Sequence, residues 1–298
     1  MANGLNSHFM DYKINVIAAI LMKSLLKTKS SDKQFSRHSI QRISFYQKPN
    51  SKVFAVFMNY RTIKQLLATI RHFPVHPQWF AYRGESQNHR EIAARLTGTI
   101  LDIGCANQYI RPLLTADHHY IGLDYYDTAL YWYQTRPHVF ADAQYLPFAA
   151  ESFDNILLLD VLEHLPQPEL CIAEIARILK HQGQCILQVP FLYPIHDNPL
   201  DFQRWTLYGL QQLAQKYSLR ITATKIIGKP LETGALLFNI ALAKTLLNWI
   251  KQRHPAIILG IAIPPLMLFI NLSAWLLSLF SIQDEFMPHS YQIILEKI

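Results

Sequence analysis

The chain is predicted to be an α/β protein built on a seven-stranded, mostly parallel sheet. Three observations predict this. Short apolar runs alternate with helical periods from Thr99 to about Ile227. The first such run, "TILDIGC" (99–105), ends in an Asp–Gly turn. A last alternating stretch, "SYQIILEKI" (290–298), can return to the sheet as one more strand.

The elements follow in order. A lead-in helix is expected over 85–96, behind the aromatic and proline stretch "HFPVHPQWFAYRG" (72–84). Strands are expected at 99–103, 119–123, 138–141, 153–159, 184–189 and 219–227, with helices near 107–115, 127–134, 168–180 and 206–217. An apolar block at 235–283 then precedes the final strand. Its second part, Ala256 to Gln283, contains no ionisable residue and is long enough to span a bilayer. The organisation read from this is a basic N-terminal segment (1–60), a helical lead-in (61–98), a core (99–234), an apolar helical insertion (235–283) and a closing strand (284–298).

Composition narrows the classes. Half of the 298 residues are hydrophobic and 16% are charged, which is apolar for a soluble protein, while ten glycines and sixteen prolines exclude a low-complexity chain. Cys105, Cys171 and Cys185 show no CxxC or Cys/His zinc spacing, so neither disulfides nor a metal ligand set is expected, and a reducing compartment is. The net charge of +7 lies in the first sixty residues, where nine Lys/Arg face only Asp11 and Asp32. Such a segment suits anionic lipid or a solvated tail, and no RNP, KH or zinc pattern supports nucleic acid. "NVIAAILM" (15–22) is too short for a secretory core and lacks a cleavage site, but it would serve in an amphipathic surface helix. Met58 offers a second plausible start.

The chemistry is expected at one sheet edge. In a doubly wound sheet, ligands bind outside the carboxyl ends of the strands, which is where Asp102 and Gly104 arrive. Ala106 and Gln108 stand where further glycines are usual, and Gln108 should block any position that needs positive φ. Asp124 ends the next strand twenty residues after Gly104, the place of a ribose-binding carboxylate, and Asp142 ends the third. Each alone would read as a cap or turn former; three in succession read as a site.

Together "ILDIGCANQYI", "YIGLD", "ADAQYLPF", "SFDNILLLDVLEHLPQP" and "EIARILKHQGQCILQVPF" resemble class I S-adenosylmethionine-dependent methyltransferases, most closely the ubiquinone/menaquinone-biosynthesis-like (type 11) group. The resemblance covers roughly residues 80–230 plus the last strand. It implies a Rossmann-like fold, S-adenosylmethionine as cofactor, and a last strand that runs antiparallel. It also implies that Asp102, Gly104, Cys105 and Ala106 line the methionine part of the cofactor, that Asp124 binds the ribose, that Asp142 and Ala143 meet the adenine, and that Asp160 sits beside the methyl donor.

On the substrate side, His164 in "LEHL" could accept a proton from a hydroxyl, or could fix its loop onto a helix. The string "VPFLYPIHDNPLDFQRWT" (189–206) resembles a subgroup associated with cell-surface polysaccharides. There His196 and Asp201 could orient or deprotonate an acceptor, Tyr193 and Trp205 could wall its pocket, and Arg204 could pair with an acidic group. Alternatively Asp201 and Arg204 form an internal ion pair and Thr206 caps the next helix. Because both ends of 235–283 return to one sheet, a single bilayer crossing is excluded. An interfacial or re-entrant helical pair is favoured over a hairpin through the bilayer or a buried cap.

The sequence therefore predicts a cytoplasmic methyltransferase, peripheral or monotopic at the inner face of a membrane. Its acceptor would be lipid-linked, glycan or otherwise amphiphilic, methylated on oxygen. A catalytically inactive scaffold of the same fold and a nicotinamide-dependent oxidoreductase are the competing expectations.

Overall fold

The computed structural model describes residues 69–298. The basic segment 1–60, with the expected surface helix at 15–22, lies outside the described residues, as does Met58. After a series of turns come α1 (Trp79–Tyr82) and α2 (Glu85–Ala93), the latter starting from Gly84 at φ +90°.

Seven strands form one sheet in the order β3-β2-β1-β4-β5-β7-β6. They are β1 (Thr99–Ile103), β2 (His119–Asp124), β3 (Val139–Phe140), β4 (Phe153–Leu159), β5 (Leu179–Pro190), β6 (Leu219–Ile227) and β7 (Ser290–Lys297). The first five pair in parallel, while β7 inserts antiparallel between β5 and β6, as the closing strand was expected to. β4 shows why a near-continuous apolar run was needed: Ile156, Leu157 and Leu158 are all fully buried, so both faces of this central strand are covered. On α3 (Pro168–Ile178), Cys171, Ile172, Ile175 and Ile178 fall on one buried face, and Pro168 occupies the first turn, where no N–H is required. Thr206 caps α4 (Leu207–Lys216) by accepting from the N–H of Gly209 at 3.1 Å.

Four expectations are corrected. The helix foreseen at 107–115 is a single 3₁₀ turn, Arg111–Leu113; positive φ at Ala106 and Gln108 keeps the chain out of the right-handed region until then. Residues 127–134 form a short π-helix, Thr128–Tyr133, rather than an α-helix. β5 starts at Leu179 instead of 184, because Leu179 already pairs with Phe153. The apolar insertion begins at Pro230 instead of 235.

The insertion is a pair of antiparallel helices, α5 (Pro230–Gln252) and α6 (Ile263–Ser278), joined through a 3₁₀ segment, Pro255–Ala262. Their open end is tied to the core side by Lys229, whose Nζ donates to the carbonyls of Ser278 and Ser281. Inside the pair, buried Asn239 donates to Asn271 at 2.8 Å. Asn271 in turn donates to the carbonyls of Pro74 and His76, clamping the pair to the lead-in. Phe80 fills the seam beside Ala235, Leu236 and Ala274.

Candidate active site

β1, β2 and β4 end at the same sheet edge, and two cavities open there. The smaller, of about 330 Å³, is lined by Gly104, Asp124, Tyr125, Trp132, Asp142 and Ala143 among others. The larger, of about 510 Å³, lies between α2, the ends of β4 and β5, and the 190–204 loop, and includes Glu163, Tyr193, His196 and Lys225. Tyr133, Asp160, His164 and Asp197 line both.

The turn after β1 is shaped from three sides. Gly104 sits at φ +71°, and a Cβ there would collide with Val161 Cγ2, so glycine is required twice over. Ala106 (φ +43°) and Gln108 (φ +55°) both adopt the left-handed conformation, which overturns the expectation that Gln108 could not. The return is a capped acid. The N–H of Ala106 donates to Asp124 Oδ2 at 2.9 Å and that of Tyr125 to Asp124 Oδ1 at 2.8 Å. Burial pushes this carboxyl up, and the two N–H groups counter it.

Of the residues expected around the cofactor, Gly104, Asp124, Asp142, Ala143 and Asp160 do line the smaller cavity. Asp102, Cys105 and Ala106 do not. Asp102 is buried behind the edge, where it accepts from the Tyr120 hydroxyl at 2.6 Å, and burial raises its pKa to about 7. Cys105 is buried too, its thiol pushed up by desolvation. These three brace the turn. Asp142 Oδ1 accepts from the backbone N–H of Gln144 at 2.9 Å.

The substrate-side expectations divide in the same way. Asp201 and Arg204 form the internal pair: Nη1 meets Oδ1 at 2.5 Å and Nη2 meets Oδ2 at 2.7 Å. Arg204 also donates to the carbonyls of Tyr193, Pro194 and Gln203, so it has no donor left for an acidic substrate. Burial alone would raise Asp201, but Arg204 and the His196 N–H hold it down at about 2, unsuited to act as a base. Trp205 lines neither cavity and packs on the central core. Tyr193 does line the larger cavity and is hydrogen-bonded to Gln78 Nε2.

The residue that sequence reasoning passed over is Glu163. It stands in the quoted "DVLEHL", yet only its neighbour was singled out. In the structure it is fully buried, neither carboxyl oxygen has a hydrogen-bond partner, and burial followed by the charge of Asp160 pushes its pKa well up. His164 and His196 face it. The aromatics Tyr125, Trp132 and Tyr133 of the smaller cavity were also missed; an irregular helix has no periodicity that would have marked them.

The strand order with its antiparallel β7, and the ligand cavity at the carboxyl edge of β1 and β2, define a class I methyltransferase fold. Residues 101–187 match the model of the type 11 methyltransferase domain. The protein is an S-adenosylmethionine-dependent methyltransferase, as the motif resemblance implied. Comparison with curated proteins yields no significant match. Among solved structures the chain is similar to an S-adenosylmethionine-dependent methyltransferase from Archaeoglobus fulgidus (16% identity, covering 74% of this chain and 99% of the other, TM-score 0.42). It is also similar to the YcgJ protein from Bacillus subtilis (16% identity, 71% and 94% covered, TM-score 0.39) and to the cyclase SpnF (14% identity, 71% and 80% covered, TM-score 0.46).

The smaller cavity suits the cofactor. Its turn rests on a glycine whose Cβ would collide with the Val161 side chain lining it, and two carboxylates and several aromatic rings are on hand for hydroxyl groups and a base.

Proposed function

We propose that the enzyme methylates a hydroxyl oxygen of an amphiphilic, lipid-linked or glycan-bearing acceptor at a membrane surface. The observation that carries this reading is the pair of cavities divided by a shared wall of Tyr133, Asp160, His164 and Asp197. S-adenosylmethionine supplies an electrophilic methyl group when it occupies the smaller cavity. Asp124 and Asp142 would hold it there, with Asp160 near the donor end. The larger cavity would take the acceptor, with Tyr193 and Tyr82 as walls. His164 and His196 would position its hydroxyl, because methyl transfer depends chiefly on in-line placement of the nucleophile. Asp201 serves as a positioning residue for His196, its Oδ2 lying 3.2 Å from Nδ1.

The helical pair supports the membrane part. By length and composition, Pro230–Gln252 and Pro255–Ser278 could each cross a bilayer, and only 22% of each apolar window is buried in the protein. Ile258, Ile261, Phe269 and Phe280 are largely exposed. Both ends of the pair join the same core, and Lys251 and Arg253 stand exposed at its tip. A crossing would put Lys244 mid-span, at a cost of roughly 2.5–3.5 kcal/mol, and Lys251 and Arg253 on the far side against the positive-inside bias, so an interfacial position is favoured. The Lys/Arg-rich first sixty residues would add attraction to anionic lipid.

The test combines labelled S-adenosylmethionine, purified enzyme and a total lipid extract on anionic vesicles. Label entering an alkali-stable, organic-soluble product is expected, and Asp124→Asn should abolish it. Label confined to water-soluble acceptors, or enzyme that fails to float with phosphatidylglycerol vesicles, would refute the amphiphile reading.

A further inference from the structure

Glu163, His164 and His196 present an unusual arrangement in the wall of the larger cavity. Glu163 Oε1 lies 3.7 Å from His164 Nε2 and 3.8 Å from His196 Nε2, too far for hydrogen bonds. All three ligand atoms nevertheless fall within 4.8 Å of one another. The other nitrogen of each ring reveals its tautomer. His164 Nδ1 is 2.6 Å from the carbonyl oxygen of Leu200, which can only accept, so Nδ1 carries the proton and Nε2 a lone pair.

His196 Nδ1 lies 3.2 Å from Asp201 Oδ2 and 3.3 Å from Arg204 Nη2. Both hydrogens of Nη2 are better placed, on Pro194 O at 3.0 Å and Asp201 Oδ2 at 2.7 Å. The Nδ1 proton therefore points to Asp201, and His196 Nε2 also offers a lone pair. Two imidazole lone pairs and a fully buried carboxyl group thus converge with no hydrogen bond among them. Such a group is costly unless a cation compensates it.

We propose that Glu163, His164 and His196 bind a divalent transition-metal cation, a site the sequence reading did not anticipate. Two imidazole nitrogens and one carboxylate form a ligand set for zinc, iron(II), manganese(II) or cobalt(II), and three protein ligands leave positions open to the cavity. Bonds of about 2.0–2.2 Å place ligand atoms roughly 3.0–3.5 Å apart, so the observed separations need to close by only a few tenths of an ångström for the two Glu–His pairs. The Leu200 carbonyl and Asp201 supply the outer hydrogen bonds that orient metal-binding histidines. An acceptor oxygen in the larger cavity would occupy an open position; only this last step rests on the proposed function, and the cation site itself does not.

The test uses the full chain, stripped with chelator and titrated with cobalt(II) while its visible absorption is followed. One equivalent is expected to bind, to be displaced by zinc(II), and to raise the melting temperature. Glu163→Gln and His196→Asn are each expected to weaken cobalt(II) binding roughly 100-fold or more. Absence of stoichiometric binding to the wild-type chain would overturn the site, as would unchanged binding in both variants. If both variants fail to fold, the wild-type melting temperature decides: no rise at one equivalent of cobalt(II) overturns it. Calorimetry with S-adenosylmethionine on the same samples separates the two proposals, since cobalt(II) uptake without cofactor binding leaves the site standing and removes the methyl-transfer reading.

Discussion

The parallel half of the sheet and the α5–α6 pair are both rich in apolar residues, yet they use them in opposite ways. β4 hides Ile156, Leu157 and Leu158 completely, whereas the helical pair turns Phe238, Phe269 and Leu276 outward. Each region also buries polar groups, Asp102 in one and Asn239 with Asn271 in the other. In the sheet the buried polar group sits behind a ligand edge; in the pair it locks two helices together. Hydrophobicity alone therefore does not separate core from surface. What separates them is whether a second layer exists to receive the side chains.

The largest test of this contrast is Leu157→Ala, expected to cost about 2–5 kcal/mol in a urea unfolding curve, since it leaves a cavity between two packed faces. Phe280→Ala, at a residue 85% exposed, should stay within about 0.5 kcal/mol of wild type in the same experiment.

Asp102→Asn comes next and has a definite pH signature. The folded carboxyl titrates near 7 and the unfolded one near 3.9, so its contribution is fully present below pH ~4 and lost as pH rises to about 7. That loss is on the order of 4 kcal/mol at most. Melting from pH 4 to 8 should show the wild type falling relative to the variant, whose amide oxygen can still accept from Tyr120. Parallel curves would show that Asp102 is not desolvated.

Gly104→Ala should weaken S-adenosylmethionine binding more than tenfold by calorimetry, because its Cβ meets Val161 at the cavity mouth. Phe269→Ser with Phe280→Ser should reduce flotation with anionic vesicles several-fold while leaving cofactor affinity unchanged. A small stabilisation is expected from Ala106→Gly. Relief of left-handed strain, about 1–2 kcal/mol, is offset by about 0.4–1 kcal/mol of extra unfolded-state entropy, leaving a gain of at most about 1.6 kcal/mol in thermal unfolding.

Much of the fold was legible. β1, β4 and β6 occupy the expected residues, and β7 runs antiparallel as the motif resemblance implied. Legibility failed where local pattern and backbone conformation part company. The turn from Ala106 to Gln108 reads like a helix start, but its backbone is left-handed at both ends, with the Ala106 N–H tied to Asp124. At the site, Asp124 and Asp142 were legible because one ends β2 and the other closely follows β3 at the ligand edge. Arg204 was legible in part: its pair with Asp201 was one of two readings, but its carbonyl partners come from the 193–203 loop and only the folded chain gathers them.

By itself, then, the sequence determined the positions of most strands, the cofactor edge and an apolar insertion, since all three rest on residue spacing and hydrophobic period. Tertiary structure alone decided which acids line the cavity and which lie behind it. It also exposed one face of the helical pair and brought Glu163 between two histidines from different loops. Those outcomes depend on desolvation and on partners distant in the chain, and neither quantity is written in local spacing.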